Sequence, residues 1–258
     1  MTDNTRRAYG SAIAHYLSWG GLLPATEKEI KDYLMTFSHS HSLSTLAIRR
    51  AAISSWHVLH GFPDPTSTPQ IQELFKAIKL PLCKSKEKAE ALPISDLKLI
   101  SRTLLKTEGL SAKRDRAILL ISFFGAFVRS ELVSLKVSDL KWHKSGLLIT
   151  IPGSKADLEG NRTTKAIIYC DEELCPILAL KDWIEAAGIQ EGYIFRAINR
   201  WGAVSIKSLS PEAINMIIAK LGYTKGLQFK SKLSSHSLRR GLMTMAIEAG
   251  ASFASIKK

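Results

Sequence analysis

His236 and Arg239 stand three residues apart in SSHSLRRG. That spacing is close to one helical turn, so on a helix both side chains leave the same face. An arginine placed this way can hold a phosphate through parallel N–H donors, and a histidine beside it can carry a proton or donate as a neutral ring. Alone the pair is a weak signal, because a helix-capping histidine has the same signature. Lys155, in GSKADLEG at the end of a strand-like run, offers another group. A lysine at a hairpin tip is ordinarily just solvated; one that reaches into a duplex groove can protonate a leaving oxygen, which is general acid chemistry. The remaining feature is GAFVRSELVSL, residues 125–135, which reads as a helix whose register is set by Glu131, Leu132 and Leu135.

Two kinds of scaffold must position these groups. Residues 1–80 read as four or five helices without strands. Thr5 is the expected cap of a first helix with Tyr9, Ile13, Tyr16 and Leu17 on one face, ending at Gly20-Gly21. Thr26 and Glu29 form a capping box before EIKDYLMTF. SLSTLAIRRAAISSWHVLHG then turns Leu46, Ile53 and Trp56 inward, and QIQELFKAIKL closes the bundle after a proline-rich loop. Residues 81–93, PLCKSKEKAEALP, are polar, basic and bounded by prolines, and read as a linker. Residues 94–258 are mixed. Helices are expected from Ser95 and over 112–127. A period-two hairpin follows, with Leu147, Ile149 and Ile151 on one face, Ala166 to Tyr169 returning, and Gly153, Asp157, Gly160 and Asn161 at the tip. Three further helices are expected over LCPILALKDWIEAAG from Leu174, SPEAINMIIAKLG from Ser210 and SLRRGLMTMAIEAG from Ser237, the second with Pro211 in its first turn and Gly222 as its stop. The fold class is therefore mainly α with a small antiparallel β-sheet: an N-terminal helical bundle plus a mixed α+β unit.

Charge narrows the partners. The 258 residues carry a formal net charge of +13, and in residues 220–258 eight lysines and arginines face one acid, Glu248. Such an excess suits a polyanion, since neutralising phosphates releases counterions. The longest apolar run, AILLISFFGAFV, is too short to span a bilayer, and MTDNTRRAYG lacks the apolar segment of a signal peptide. Three cysteines, Cys83, Cys170 and Cys175, form no disulfide framework and suit a reducing cytoplasm. Their spacing relative to His143 is wrong for zinc, so neither metal nor cofactor is expected.

Taken in order, the helical segments TRRAYGSAIAHYLSWG, LPATEKEIKDYL and STLAIRRAAISSWHVLHG, the linker, SELVSLKVSDL, SKADLEG and HSLRRG resemble the tyrosine recombinase, or phage integrase, family over nearly the whole chain. The resemblance implies a SAM-like core-binding domain over residues 1–80 and a catalytic domain over 94–258, closing on double-stranded DNA as a two-domain clamp. Such enzymes attack a phosphodiester with a tyrosine hydroxyl, form a 3′-phosphotyrosine and exchange strands without metal or nucleotide. By motif, Lys155 takes the role of the general acid, His236 assists proton transfer, Arg239 is the second arginine, and Glu131 is the acid that supports the first. Expected DNA contacts are Thr45, Arg49 and Arg50 toward a groove, with Lys84, Lys86 and Arg240 on the backbone.

The sequence departs from that pattern twice. The first arginine is expected three residues before Glu131, where Val128 stands, with Arg129 as its neighbour. On the helix read over this stretch, positions 128 and 131 share a face, and a one-residue offset turns Arg129 about 100° away from it. Removing one such donor slows chemistry roughly 10²–10³-fold. The sequence also reaches its last residue, Lys258, with no tyrosine after Tyr223. The expectation is therefore a chain that binds DNA, lacks its nucleophile and does not cleave, and that is monomeric in free solution because the family's exchanged C-terminal segment is missing. A non-catalytic DNA-binding regulator of the same descent is the alternative, and a type IB topoisomerase-like nuclease a more distant one.

Overall fold

The computed structural model describes residues 3–82, 89–151, 163–229 and 231–251. The chain divides into two compact units, Met1–Glu87 and Lys88–Lys258.

The first unit is built from α1 (Asp3–Ser18), α2 (Glu27–Phe37), α3 (Leu43–Leu59) and α4 (Pro69–Leu82). Its core is Tyr16, Ile30, Tyr33, Leu34, Leu46, Ile53, Ile71 and Ile78. The capping box starts α2 as expected: the Glu29 N–H donates to Thr26 Oγ1 at 3.3 Å, and the Thr26 N–H donates to Glu29 Oε2 at 2.6 Å. Two expectations for α1 fail. It is already helical at Asp3, so Thr5 lies in its first turn, and Leu17 is exposed. The buried stripe of α1 runs through Ala12 and Tyr16. Position 17, about 100° further round, falls outside it.

The second unit begins with α5 (Ile94–Lys106), α6 (Leu110–Phe124) and α7 (Arg129–Ser134). A three-stranded antiparallel sheet follows: β1 (Leu140–His143), β2 (Gly146–Ile151) and β3 (Thr163–Ile168), in that spatial order. Then come α8 (Pro176–Ala186), the hairpin β4 (Arg196–Ile198) and β5 (Val204–Ser208), α9 (Pro211–Leu221) and α10 (Ser235–Glu248). Fully buried Ala117 to Ile121 and Phe123 run along α6 and join Leu147, Ile149 and Ile151 of β2 and Trp183 of α8 in one core. From Ala117 to Phe123 α6 is buried on every side and apolar but for Ser122, while buried Arg114 and Arg116 in its first half are held by Asp115, Ser101 and the Glu172 carbonyl, so no amphipathic stripe shows. Among the described residues no helix is long and apolar enough to cross a membrane.

The expected hairpin is present as β2 and β3, paired Leu147 to Ile167 and Ile149 to Lys165. Its expected tip lies outside the described residues. The helix expected over 112–127 ends at Phe124, and the one expected over 125–135 starts only at Arg129. Between them Ala126 sits at φ 46°, a left-handed conformation uncommon for a residue with a side chain. Gly125 makes this turn possible, because a Cβ on it would stand 2.2 Å from the ring of Phe127, which folds back beneath it and is buried.

A second glycine sets the position of α10. The Leu92 N–H donates to the Ser237 carbonyl at 3.1 Å, so the segment leading into α5 lies across the first turns of α10. At the crossing a Cβ on Gly241 would be 2.4 Å from the Leu92 carbonyl oxygen and 2.7 Å from the Phe123 ring.

Candidate active site

The α6–α7 turn decides where the acid points. Val128 is the N-cap of α7, with extended backbone (φ −84°, ψ 154°) and a side chain partly open to solvent. Its N–H donates to Glu131 Oε2 at 3.0 Å, so the Glu131 carboxylate folds back over the start of its own helix. This corrects the helix-face argument, in which 128 and 131 shared a helical stripe. Position 128 is not helical, and what relates it to Glu131 is a backbone hydrogen bond. Arg129 is the first helical residue and is half-buried.

A cation absent from the sequence reading occupies this turn. Lys165 lies on β3, where burial alternates so that 163, 165 and 167 face inward. Its Nζ donates to the Gly125 carbonyl at 2.8 Å, with the Ala126 carbonyl and Glu131 Oε2 each at 3.4 Å. The same ammonium stands 4.2 Å from the centroid of the Phe127 ring. Those carbonyls are free to accept because the chain leaves α6 at Gly125, and the ring face adds cation–π attraction. Burial is the main influence on Lys165 and lowers its pKa; Glu131 opposes that shift, and the positive charge of Arg239 adds to it.

On α10 the N-cap Ser234 accepts from the Ser237 N–H at 3.3 Å. Ser237 and Leu238 are buried, while His236, Arg239 and Arg240 are exposed. His236 and Arg239 thus lie one turn apart on the outer side of the helix, as their spacing predicts. The hydroxyl of Ser235, in the first turn, is buried without a hydrogen-bond partner. The structure pairs Glu131 with Lys165, and it places His236 and Arg239 together on the exposed side of α10. Lys155, Lys84 and Lys86 lie outside the described residues. Among the described residues no cluster of three His, Cys, Asp or Glu side chains is placed to hold a metal ion.

In the first unit Thr45 lies in the opening turn of α3, where its N–H donates to the N-cap Ser42 at 3.2 Å. Arg49 and Arg50 part company. Arg49 is 7% exposed, with its guanidinium 5.3 Å from the Phe37 ring centroid and hydrogen-bonded to His41 Nε2 at 3.1 Å. It packs inside the unit, on the same stripe as Leu46 and Ile53, and is not presented for groove contact as the sequence reading expected. Arg50 is half-exposed, stacked over Phe75 at 4.7 Å.

The second unit thus carries His236 and Arg239 in the first turns of α10, an acid in the first turn of α7 and a lysine on the inward face of β3. Residues 95–258 match the model of the phage integrase family, and the chain belongs to that family. It is 31% identical over 255 residues to the "Integrase/recombinase xerD homolog" of Selenomonas ruminantium, covering 95% of this chain and 74% of that protein. Its fold is similar to that of lambda integrase, crystallised as a dimer bound to a COC′ core site, at 16% identity and TM-score 0.64 over 96% of this chain and 66% of the other. It is also similar to XerH recombinase bound to its difH substrate before cleavage, at 16% identity and TM-score 0.60 over 91% and 63% of the two chains.

Proposed function

We propose that this protein acts in site-specific DNA recombination, binding duplex DNA through basic side chains of both units and presenting a phosphate to the cluster on α7, β3 and α10. The observation that carries the reading is the Lys165–Glu131 ion pair at the α6–α7 turn, with His236 and Arg239 exposed together on α10, in a chain of this family. In this reading Arg239 holds non-bridging oxygens, His236 on the same face assists proton transfer, and Lys155 donates to the leaving oxygen. Glu131 supports the turn, with Arg129 beside the position where the family's first arginine is expected. Arg50, Thr45, Lys84, Lys86 and Arg240 add contacts that position the duplex, most of them with phosphates and therefore indifferent to base sequence. The work takes place in the cytoplasm.

Val128 favours a second reading of the same site, in which the chain binds without cutting. A valine donates no hydrogen bond and balances no charge where charge grows on the phosphate.

The experiment is equilibrium binding of the 258-residue chain to duplex DNA across a salt series, followed by denaturing electrophoresis for a covalent adduct. Binding should weaken linearly in log–log form, with no adduct. A flat salt dependence would remove the DNA-binding reading, and an adduct would remove the non-cleaving one. The same chain should run as a monomer without DNA; a stable dimer in light scattering would contradict that.

A further inference from the structure

We infer that the tip of the β4–β5 hairpin is a further contact with duplex DNA, in which Arg200 binds a backbone phosphate and the indole of Trp201 packs on the adjoining sugar and base. The inference rests on the proposed reading of the chain as a DNA-binding protein.

The turn presents these two side chains together. Asn199 closes it: its N–H donates to the Ala203 carbonyl at 3.0 Å, and its own carbonyl accepts from the Gly202 N–H at 3.0 Å. Its Oδ1 accepts from the Trp201 and Ala203 N–H groups, each at 2.9 Å. Gly202 takes the left-handed conformation, φ 85°, that returns the chain to β5. Arg200 and Trp201 therefore hold the two central corners of a tied turn, a geometry that calls for neither residue type. The Arg200 guanidinium lies over the Trp201 ring, 4.1 Å from its centroid. A planar cation stacked on a planar ring in a fixed turn leaves little to order when a ligand arrives.

Exposure and charge indicate the ligand. Trp201 is 75% exposed, so beyond the guanidinium its surface is open to water. A lone surface tryptophan needs no explanation, but this one stands in a stretch of one sign. From Gly192 to Pro211 the chain carries Arg196, Arg200 and Lys207 and no acid. Arg196 donates to the Tyr193 and Glu191 carbonyls. Among the described residues no acid pairs with Arg200 or Lys207, and Lys207 is exposed, so both cations keep their donors for a ligand. Open cations beside an exposed indole complement a strand that offers phosphates next to flat, weakly polar surfaces.

The base of the hairpin ties the tip to the site. The Ser208 hydroxyl donates to the Val133 carbonyl, and the Ile194 N–H donates to the Leu135 carbonyl at 3.0 Å. Both acceptors lie at the end of α7, the helix whose first turn holds Glu131. A DNA contact at the tip is thus held in fixed register with that helix.

The test is equilibrium binding of the 258-residue chain to a labelled duplex across a salt series, with W201A, W201F, R200M and R200K, and a thermal melt of each. All four should melt with the parent, because the side chains are exposed. W201A should bind about fivefold or more weakly at every salt concentration with the parent's log–log slope, since an indole contact releases no counterions. R200M should lose about 0.9 from the slope, and R200K should keep it. The duplex should quench the tryptophan emission of the parent, and W201F should bind well but lose that quenching. If W201A does not fold, the emission of W201F decides. Parental affinity in W201A, an unchanged slope in R200M or undiminished quenching in W201F would each overturn the contact. So would a W201A chain that binds DNA normally but loses self-association in sedimentation equilibrium, because the tip would then be a protein surface. A parent that ignores duplex DNA would remove the proposed function and the tip contact together; a parent that binds, with variants that bind alike, would remove the tip contact alone.

Discussion

Replacing Gly241 by alanine tests whether α10 is held where the site needs it. Atoms at a new Cβ would be 2.4 Å from the Leu92 carbonyl oxygen and 2.7 Å from Phe123 Cε2, whereas real contacts of this kind essentially never fall below 3.0 Å. Backbone on one side and a core ring on the other leave no flexible chain end to move aside. The helix and the 89–92 segment must separate by about 0.6 Å, which strains the Leu92–Ser237 hydrogen bond and loosens contact with α6. Overpacking of this kind costs about 1–3 kcal/mol. For a unit of this size each kcal/mol lowers the midpoint by roughly 2–4 °C, so the second unit should melt about 2–12 °C lower. Differential scanning calorimetry gives the midpoint, and amide hydrogen exchange at Leu92 reports the bond to Ser237 directly. A midpoint within a degree of the parent, together with undiminished protection at Leu92, would refute the crossing as described.

Other outcomes follow from the same geometry. Gly21→Ala places a Cβ 2.2 Å from Tyr16 Cζ at the centre of the first unit, and should lower that unit's melting transition while leaving the second unit's unchanged, as separate calorimetric peaks would report. Glu173 is held down to about 2 chiefly by its hydrogen bonds from Arg102, with Lys98 adding to the effect. A carboxylate with a lowered folded-state pKa stabilises above its unfolded value and loses that contribution as pH falls, so Glu173→Gln should be less stable than the parent at pH 7 and converge with it between about pH 4.5 and 2 in urea titrations. Arg50→Met should reduce the salt slope of DNA binding by about 0.9, whereas Arg49→Met should leave the slope alone and destabilise the first unit, which salt titration and thermal melts distinguish. The reverse pattern would mean that Arg49 leaves its place over Phe37 when DNA binds.

Much of this fold was legible because strong local signals agreed with the tertiary structure. Thr26 and Glu29 mark the start of α2, Ser210, Pro211 and Gly222 bound α9, and period-two alternation identifies β2 and β3. Strands β1, β4 and β5 escaped because three to five residues are too few for alternation to show. The break at 125–128 escaped for a different reason: Phe127 and Val128 extend the apolar pattern of α6, and nothing local announces that Ala126 adopts φ 46°. Two residues, one expected at a groove and one passed over, did carry a signal. Arg49 falls between Leu46 and Ile53 on the inward stripe of α3, and Lys165 falls two residues before Ile167 on the inward face of β3. A charged residue at a core-facing position asks which partners it meets, and in both cases the answer lay in the structure rather than the spacing.

The reach of Lys165 across to the α6–α7 turn also bears on how such a sequence can change over generations. One carboxylate, Glu131, is served by a charge whose carrier sits on a strand far along the chain from the turn it serves. A substitution at 165 on β3 is therefore felt at the Gly125 and Ala126 carbonyls and at the start of α7, so the strand and the turn constrain one another although the sequence sets them well apart.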